Sequence, residues 1–381
     1  MNWGAAIRQR LDAIRTAKRW REPRSFDAFG ASGVRSGLQL VSFASNDYLG
    51  LTTHPQIIAA AHAAIDRWGT GATAARLIVG SRPVHDELET TLAQHHGMEA
   101  AALFSTGYQA NLGVMTTFAD EQTIIYSDEL NHASIVDGIR LSRARKFVFP
   151  HRDLEALEDR MKRDQAAGED RRVIIVSDVV FSMDGDLADV AALAGIAEQF
   201  NALLILDVAH LVFDSAAFHR TIAAARCPVL LVGTLSKTLA SQGGYVAGSA
   251  DGIALLENVA RSYIFTTGLA PSAAAAARAA LDIVNSTEGA ALIARLRTNV
   301  DVIQRNALSP IIPIACGSEE RALQAAACLS ERGILVPAIR PPTVPAASSR
   351  LRVAMSALHT WEQIAHLRSA LDSEIPDWST Q

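Results

Sequence analysis

Residues 205–214 read ILDVAHLVFD: an apolar run ends on Asp207, and His210 follows three positions later. Further on, GTLSKTLASQGG (233–244) sets Lys237 among Thr, Ser, Ala and Gly after a second apolar run. A surface lysine has no need of small neighbours. A lysine whose amine must meet a flat ligand does, because they leave room for the approach. Burial in such a place disfavours the ammonium and yields a nucleophilic amine. An acid at the C-terminal end of a strand in an open α/β sheet stands where such folds bind ligands. Taken singly, each has a plainer reading, a loop lysine and a turn acid.

Two more stretches extend the set. In FSTGYQANLG (104–113) a strand ends, Ser-Thr-Gly makes the turn, and a helix begins near Tyr108. Free N–H groups and the positive dipole end suit such a helix start to a phosphate. In SDELNHASIVDG (127–138) His132 opens a helix after a strand, and FSMDGD (181–186) adds Ser182 at a further strand end. A carboxylate beside a pyridinium nitrogen keeps that ring protonated. A phosphate seat, a stacking histidine, a pyridinium partner and a Schiff-base lysine thus follow one another along one domain. These are the parts that pyridoxal phosphate chemistry requires.

The elements that must position them are legible from periodicity. Apolar runs at 101–104, 123–126, 173–177, 203–207, 229–233 and 245–249 read as strands, with helical spacing between several of them, as in DVAALAGIAEQF. Runs apolar on both faces suit a mostly parallel sheet covered by helices. The expectation is an α/β fold: an N-terminal segment over 1–45 with a helix and a short strand pair, a large α/β domain over 46–285, and a small C-terminal α+β domain over 286–381.

Composition narrows the partners. The chain has 381 residues, 49% hydrophobic and 20% charged, which is globular composition. A net charge of −5 gives no case for nucleic acid or an anionic membrane. Three scattered cysteines, Cys227, Cys316 and Cys328, show neither a disulfide framework nor metal-ligand spacing, so no metal is expected and a reducing, cytoplasmic setting is. The first residues lack the apolar core of a signal peptide.

With these motifs in hand, the chain resembles the α-oxoamine synthases, pyridoxal phosphate enzymes of fold type I. The resemblance runs from SNDYLGL (45–51) through ARLIVGSRPVHDELE, STGYQANLGV, FSMDGD and GTLSK to SRLRVAMSALHT. IRPPTVP (339–345), followed by RLR, points to the branch that joins L-alanine to a pimeloyl thioester. The resemblance implies that Lys237 bonds to the cofactor aldehyde and serves as general base, Asp207 pairs with the ring nitrogen, and His210 sits near the ring's phenolic oxygen. It implies that His132 stacks on the ring, Gly107, Tyr108 and Thr234 hold the phosphate, and Ser182 lines the pocket. Arg352, with Arg350 as competitor, and Asn46 are implied on the substrate side. A homodimer with a shared site is implied too. The acyl carrier, coenzyme A or a carrier protein, stays open, with Arg15, Lys18, Arg19, Arg21 and Arg24 as candidate contacts. Two alternatives stand: a glycine- or serine-using synthase with another acyl thioester, or a non-catalytic chain that binds the cofactor or only dimerises with an active partner.

The chain departs from that family's usual pattern in several places. Val208 replaces a second acid, and Leu211, Val212 and Phe213 replace small residues. Thr238 is larger than usual, Asp178 stands for glutamate, and GATAAR (71–76) is poor in glycine. Alternation along a strand should turn Val208 away from Asp207. The three bulky residues are expected to alter substrate access, with overpacking there costing about 1–3 kcal/mol.

Overall fold

The computed structural model describes residues 2–17, 19–168 and 171–378. Its centre is a sheet of seven strands: β1 (Ala100–Phe104), β2 (Thr123–Asp128), β3 (Arg145–Phe149), β4 (Arg172–Asp178), β5 (Leu203–Asp207), β6 (Val229–Thr234) and β7 (Gly244–Gly248). Their order is β1-β7-β6-β5-β4-β2-β3. β7 runs antiparallel to both its neighbours and the other pairs are parallel.

Alternation along these strands divides the core. Leu204 and Leu206 of β5, with Ile175 and Leu231, join the apolar body on one face. Ile205, with Ile174, Val176, Leu230 and Val232, joins the body on the other. A sheet covered on both faces needs strands apolar at every position, as the sequence has them. β3 was not anticipated. It lies at the sheet edge, where Arg145, Lys146 and Val148 are exposed, so its sequence lacks the continuous apolar run of its neighbours.

The C-terminal ends of β1, β4, β5 and β6 share one edge of the sheet. Asp178 pairs with Asp207, and Gly244 lies opposite both Phe104 and Thr234. Helix Gly107–Phe118 starts at this edge, capped by Thr106, whose side chain accepts from the Gln109 N–H. All the motifs that carry chemistry therefore converge there.

The first 45 residues hold helix Trp3–Thr16 and three strands rather than a pair: Asp27–Phe29, Ser32–Arg35 and Leu38–Ser42. The last of these pairs in parallel with Ile334–Leu335, so both ends of the chain contribute to one small sheet. ILVPAI breaks into two short strands around Val336 and Pro337, and Ala338–Ile339 pairs instead with Ser349–Ala354, which also pairs with Ile311–Gly317. Proline offers no N–H to a ladder, which accounts for the break. Helices Thr287–Ile303, Glu319–Glu331 and Trp361–Glu374 complete this region. No helix among the described residues is long and apolar enough to cross a membrane.

Candidate active site

A cavity of about 230 Å³ opens at the C-terminal edge of the sheet. Lys237 reaches it from the turn after β6, which is closed by the Leu235 N–H donating to the Gly243 carbonyl at 3.0 Å. Its Nζ is 2.7 Å from His210 Nε2. Burial holds the Lys237 amine down to about 8, against the pull of Asp207 and Asp178. His210 is buried, and burial together with the charge of Lys237 pushes its pKa well below the ordinary value, so the ring is neutral. On its far side, Nδ1 is 2.6 Å from Tyr48 Oη.

Asp207 ends β5 at the cavity wall. Its carboxylate accepts from Asn111 Nδ2 at 2.7 Å and from the Ala209 N–H at 2.9 Å. Asp178, alongside at the end of β4, is raised well above the usual carboxylate range by burial and by Asp207. It accepts the His132 N–H at 3.1 Å. His132 caps helix Ala133–Ser142, and its Nδ1 lies 2.7 Å from Ser134 Oγ, which sets the plane of the ring.

At the other end of the cavity lie Thr106, Gly107 and Tyr108 at the start of their helix, with Thr234 and Ser236 facing them. A Cβ on Gly107 would meet Thr234 Cβ at 3.2 Å, so the two elements approach closely. Tyr108 hydrogen-bonds Asp137 through its hydroxyl, and its ring stands edge-on to His132 at 6.5 Å.

The residues expected on the substrate side separate. Arg352 is buried and donates through Nε to the Ser182 carbonyl and through Nη2 to Asn46 Oδ1 at 3.1 Å. Tyr48 also donates to Asn46 Oδ1, at 3.1 Å. Arg350 instead pairs with Asp184 and with the Ser348 carbonyl. Arg21 is exposed on the stretch before the first strand and does not line the cavity. Arg15 is paired with Asp12 and Arg19 with Glu319, Arg24 is exposed, and Lys18 lies outside the described residues.

The donor set fits pyridoxal phosphate. An amine held near neutrality suits its aldehyde, a carboxylate anchored by two donors suits its ring nitrogen, and a helix start flanked by two hydroxyls suits its phosphate.

Residues 39–371 match the model of a family described as aminotransferase class I and II. The 8-amino-7-oxononanoate synthase of Methylobacterium sp. (strain 4-46) is 44% identical over 348 residues, covering 90% of this chain and 89% of that protein. The chain belongs to the α-oxoamine synthases of this family. Solved α-oxoamine synthases share the fold. A variant of serine palmitoyltransferase from S. paucimobilis, with bound PLP–myriocin aldimine, superposes at TM-score 0.89 with 25% identity, covering 99% of this chain and 98% of that one. The 8-amino-7-oxononanoate synthase from Francisella tularensis superposes at 0.73 with 26% identity, covering 88% and 98%.

Within this α-oxoamine synthase, the bulky residues after His210 do not narrow the cavity. Val212 and Phe213 are 4% and 2% exposed and join the core, and the Arg297 guanidinium lies 4.1 Å over the Phe213 ring. Asp214 then turns the chain with φ 56° and pairs with Arg297 at 3.0 Å. The expectation of altered access is corrected for Val212 and Phe213, which turn into the core away from this cavity, while Leu211 is half-buried against that core. Val208 is likewise buried, and with Leu211 and Val212 it lines a separate cavity. Tyr48, Asn111, Ser134 and Ser236 were not singled out from sequence. Asn111 had a signal: it lies four positions after Gly107, on the same helix face.

Proposed function

We propose that this chain condenses L-alanine with a pimeloyl thioester, releasing carbon dioxide and the thiol carrier, to give 8-amino-7-oxononanoate for biotin synthesis. The observation that carries the reading is the Lys237 amine, held near a pKa of about 8 and hydrogen-bonded to neutral His210, across a cavity whose wall includes the anchored Asp207. Identity of 44% over 90% of this chain to a protein of that name supports alanine as the amino acid.

When bound, pyridoxal phosphate supplies an aldehyde for the amino group and a ring that takes up the electron pair left at the α-carbon. The chain's own groups do the rest. With a pKa of about 8, roughly a tenth of Lys237 is the free amine at pH 7, so Nζ can both accept and return a proton. Its N–H is oriented by a hydrogen bond to Nε2 of neutral His210, whose Nδ1 is braced by Tyr48. Asp207 would face the ring nitrogen and hold the proton there. His132 would flank the ring. The N–H groups of Gly107 and Tyr108, with Thr234 Oγ1, would hold the phosphate. Arg352, in contact with Asn46, would bind the amino-acid carboxylate, while Arg350 is committed to Asp184.

The working form is a cytoplasmic homodimer that shares this site. Leu77, Ile78, Val79 and Phe265 are exposed, and a bridge between Ala75 and Thr267 joins their segments. Ser105 donates to the Thr267 carbonyl at 2.9 Å, which places this apolar surface beside the phosphate seat. Three unpaired cysteines suit a reducing compartment.

Incubation with L-alanine and pimeloyl-coenzyme A or pimeloyl carrier protein should yield the nine-carbon amino ketone by mass spectrometry. Turnover of glycine or serine in place of alanine would overturn the reading.

A further inference from the structure

Three imidazoles lie outside the active site and take no part in the chemistry above. The ring nitrogens of His95, His96 and His219 come within 4.8 Å of one another. His96 Nδ1 is 3.1 Å from His219 Nε2. Two nitrogens bound tetrahedrally to zinc at about 2.0–2.1 Å stand roughly 3.4 Å apart, so little movement is needed to seat an ion between them.

Two of the rings, His95 and His96, are held from outside as metal-ligating histidines are. His95 Nδ1 is 2.7 Å from Asn285 Oδ1, and His96 Nε2 is 2.8 Å from Tyr245 Oη. An amide oxygen only accepts, so His95 carries its proton on Nδ1 and keeps a lone pair on Nε2. A phenol oxygen accepts as well as donates, so Tyr245 can take a proton from His96 Nε2 and leave Nδ1 with a lone pair for an ion. Burial lowers the pKa of all three, which keeps them in the neutral form that ligates. His95 and His96 also form the last turn of helix Pro83–His96, whose negative dipole end favours a cation. A cleft bordered by all three histidines gives an ion a path from solvent.

We propose that His95, His96 and His219 bind a divalent transition-metal ion, zinc foremost, with water in the fourth position. The ion would tie the end of helix Pro83–His96 to helix Ser215–Ala224. That second helix follows the loop bearing His210, and Val208, Leu211 and Val212 of the loop share a cavity wall with the three histidines. The site is thus a brace behind the reactive edge rather than part of it.

The test uses tag-free full-length holoprotein, stripped with chelator and dialysed against Zn²⁺ or Co²⁺. One ion per chain by elemental analysis, a tetrahedral Co²⁺ visible spectrum, and a higher melting temperature with Zn²⁺ are expected. His219→Gln and His95→Gln should each lose all three while keeping far-ultraviolet circular dichroism and the cofactor's absorbance. Should one variant fail to fold, the other decides. No ion retained by the unaltered chain, or equal retention in a folded variant, overturns the proposal.

Discussion

His210 Nε2 stands 2.7 Å from Lys237 Nζ at the edge of the sheet. Because the imidazole is neutral, it can share the lysine's proton without adding a second positive charge beside it. In chain freed of cofactor, the rate of pyridoxal phosphate capture should therefore rise with pH through an inflection near about 8. Asp207 opposes the effect of burial on this amine, so Asp207→Asn should move the inflection lower. Stopped-flow absorbance over a pH series reads both. An inflection near the free-lysine value would contradict the buried amine.

Asp207→Asn also removes the charge proposed to face the ring nitrogen while keeping the size of the side chain. Turnover should fall roughly 10²–10⁴-fold, the range typical of lost proton-transfer chemistry. Cofactor absorbance should persist. Steady-state rates normalised to bound cofactor measure it, and a loss of under tenfold (about 1.4 kcal/mol) would remove Asp207 from the role.

Arg352 and Arg350 make contrasting partners of the same strand. Arg352→Ala should raise the KM for L-alanine by about 10–150-fold, the worth of a charge-assisted hydrogen bond to a carboxylate. Arg350→Ala, which breaks a pair with Asp184, should act on melting temperature and leave that KM nearly unchanged. The reverse pattern would exchange their assignments.

Acid should unfold the chain through its neutral histidines. His359 is buried, its Nδ1 accepts the Ser356 N–H at 3.0 Å, and its pKa falls to about 4. The folded value lies below the unfolded one of about 6.5. Between the two, the unfolded chain binds the extra proton, so stability is intact above about 6.5 and declines as pH falls toward 4. Urea midpoints at a series of pH values should drop over this window, and less steeply in His359→Gln.

Phe213→Ala should cost about 3–5 kcal/mol, as for other aromatic side chains removed from a core. Substrate KM values should hold, because the ring packs beneath Arg297 rather than beside the cavity. Denaturant titration and steady-state kinetics separate the two effects. A large change in KM without loss of stability would restore the ring to the substrate path.

Sequence carried the central sheet and the grouping of the candidate residues around one cavity because both rest on local signals. Apolar runs gave six of the seven strands. Asp207 closes a strand, Lys237, His210, His132 and Gly107 each follow one, and the sheet brings those ends together. Tyr48 escaped notice, since its tie to His210 spans 162 positions. The three histidines behind the site escaped for the same reason, His219 lying 123 positions from His96. Val212 and Phe213 were misjudged because sequence shows bulk but not the direction in which a loop turns it.

The pairing of Leu38–Ser42 with Ile334–Leu335 sets an order on biosynthesis. An emerging polypeptide can assemble its seven-stranded platform while still attached to the ribosome. Its earliest strands pair with one another, but their open edge must then wait for a segment translated almost three hundred codons afterwards. Any fragment ending before that segment leaves Leu38–Ser42 with a bare edge, ready to capture another chain.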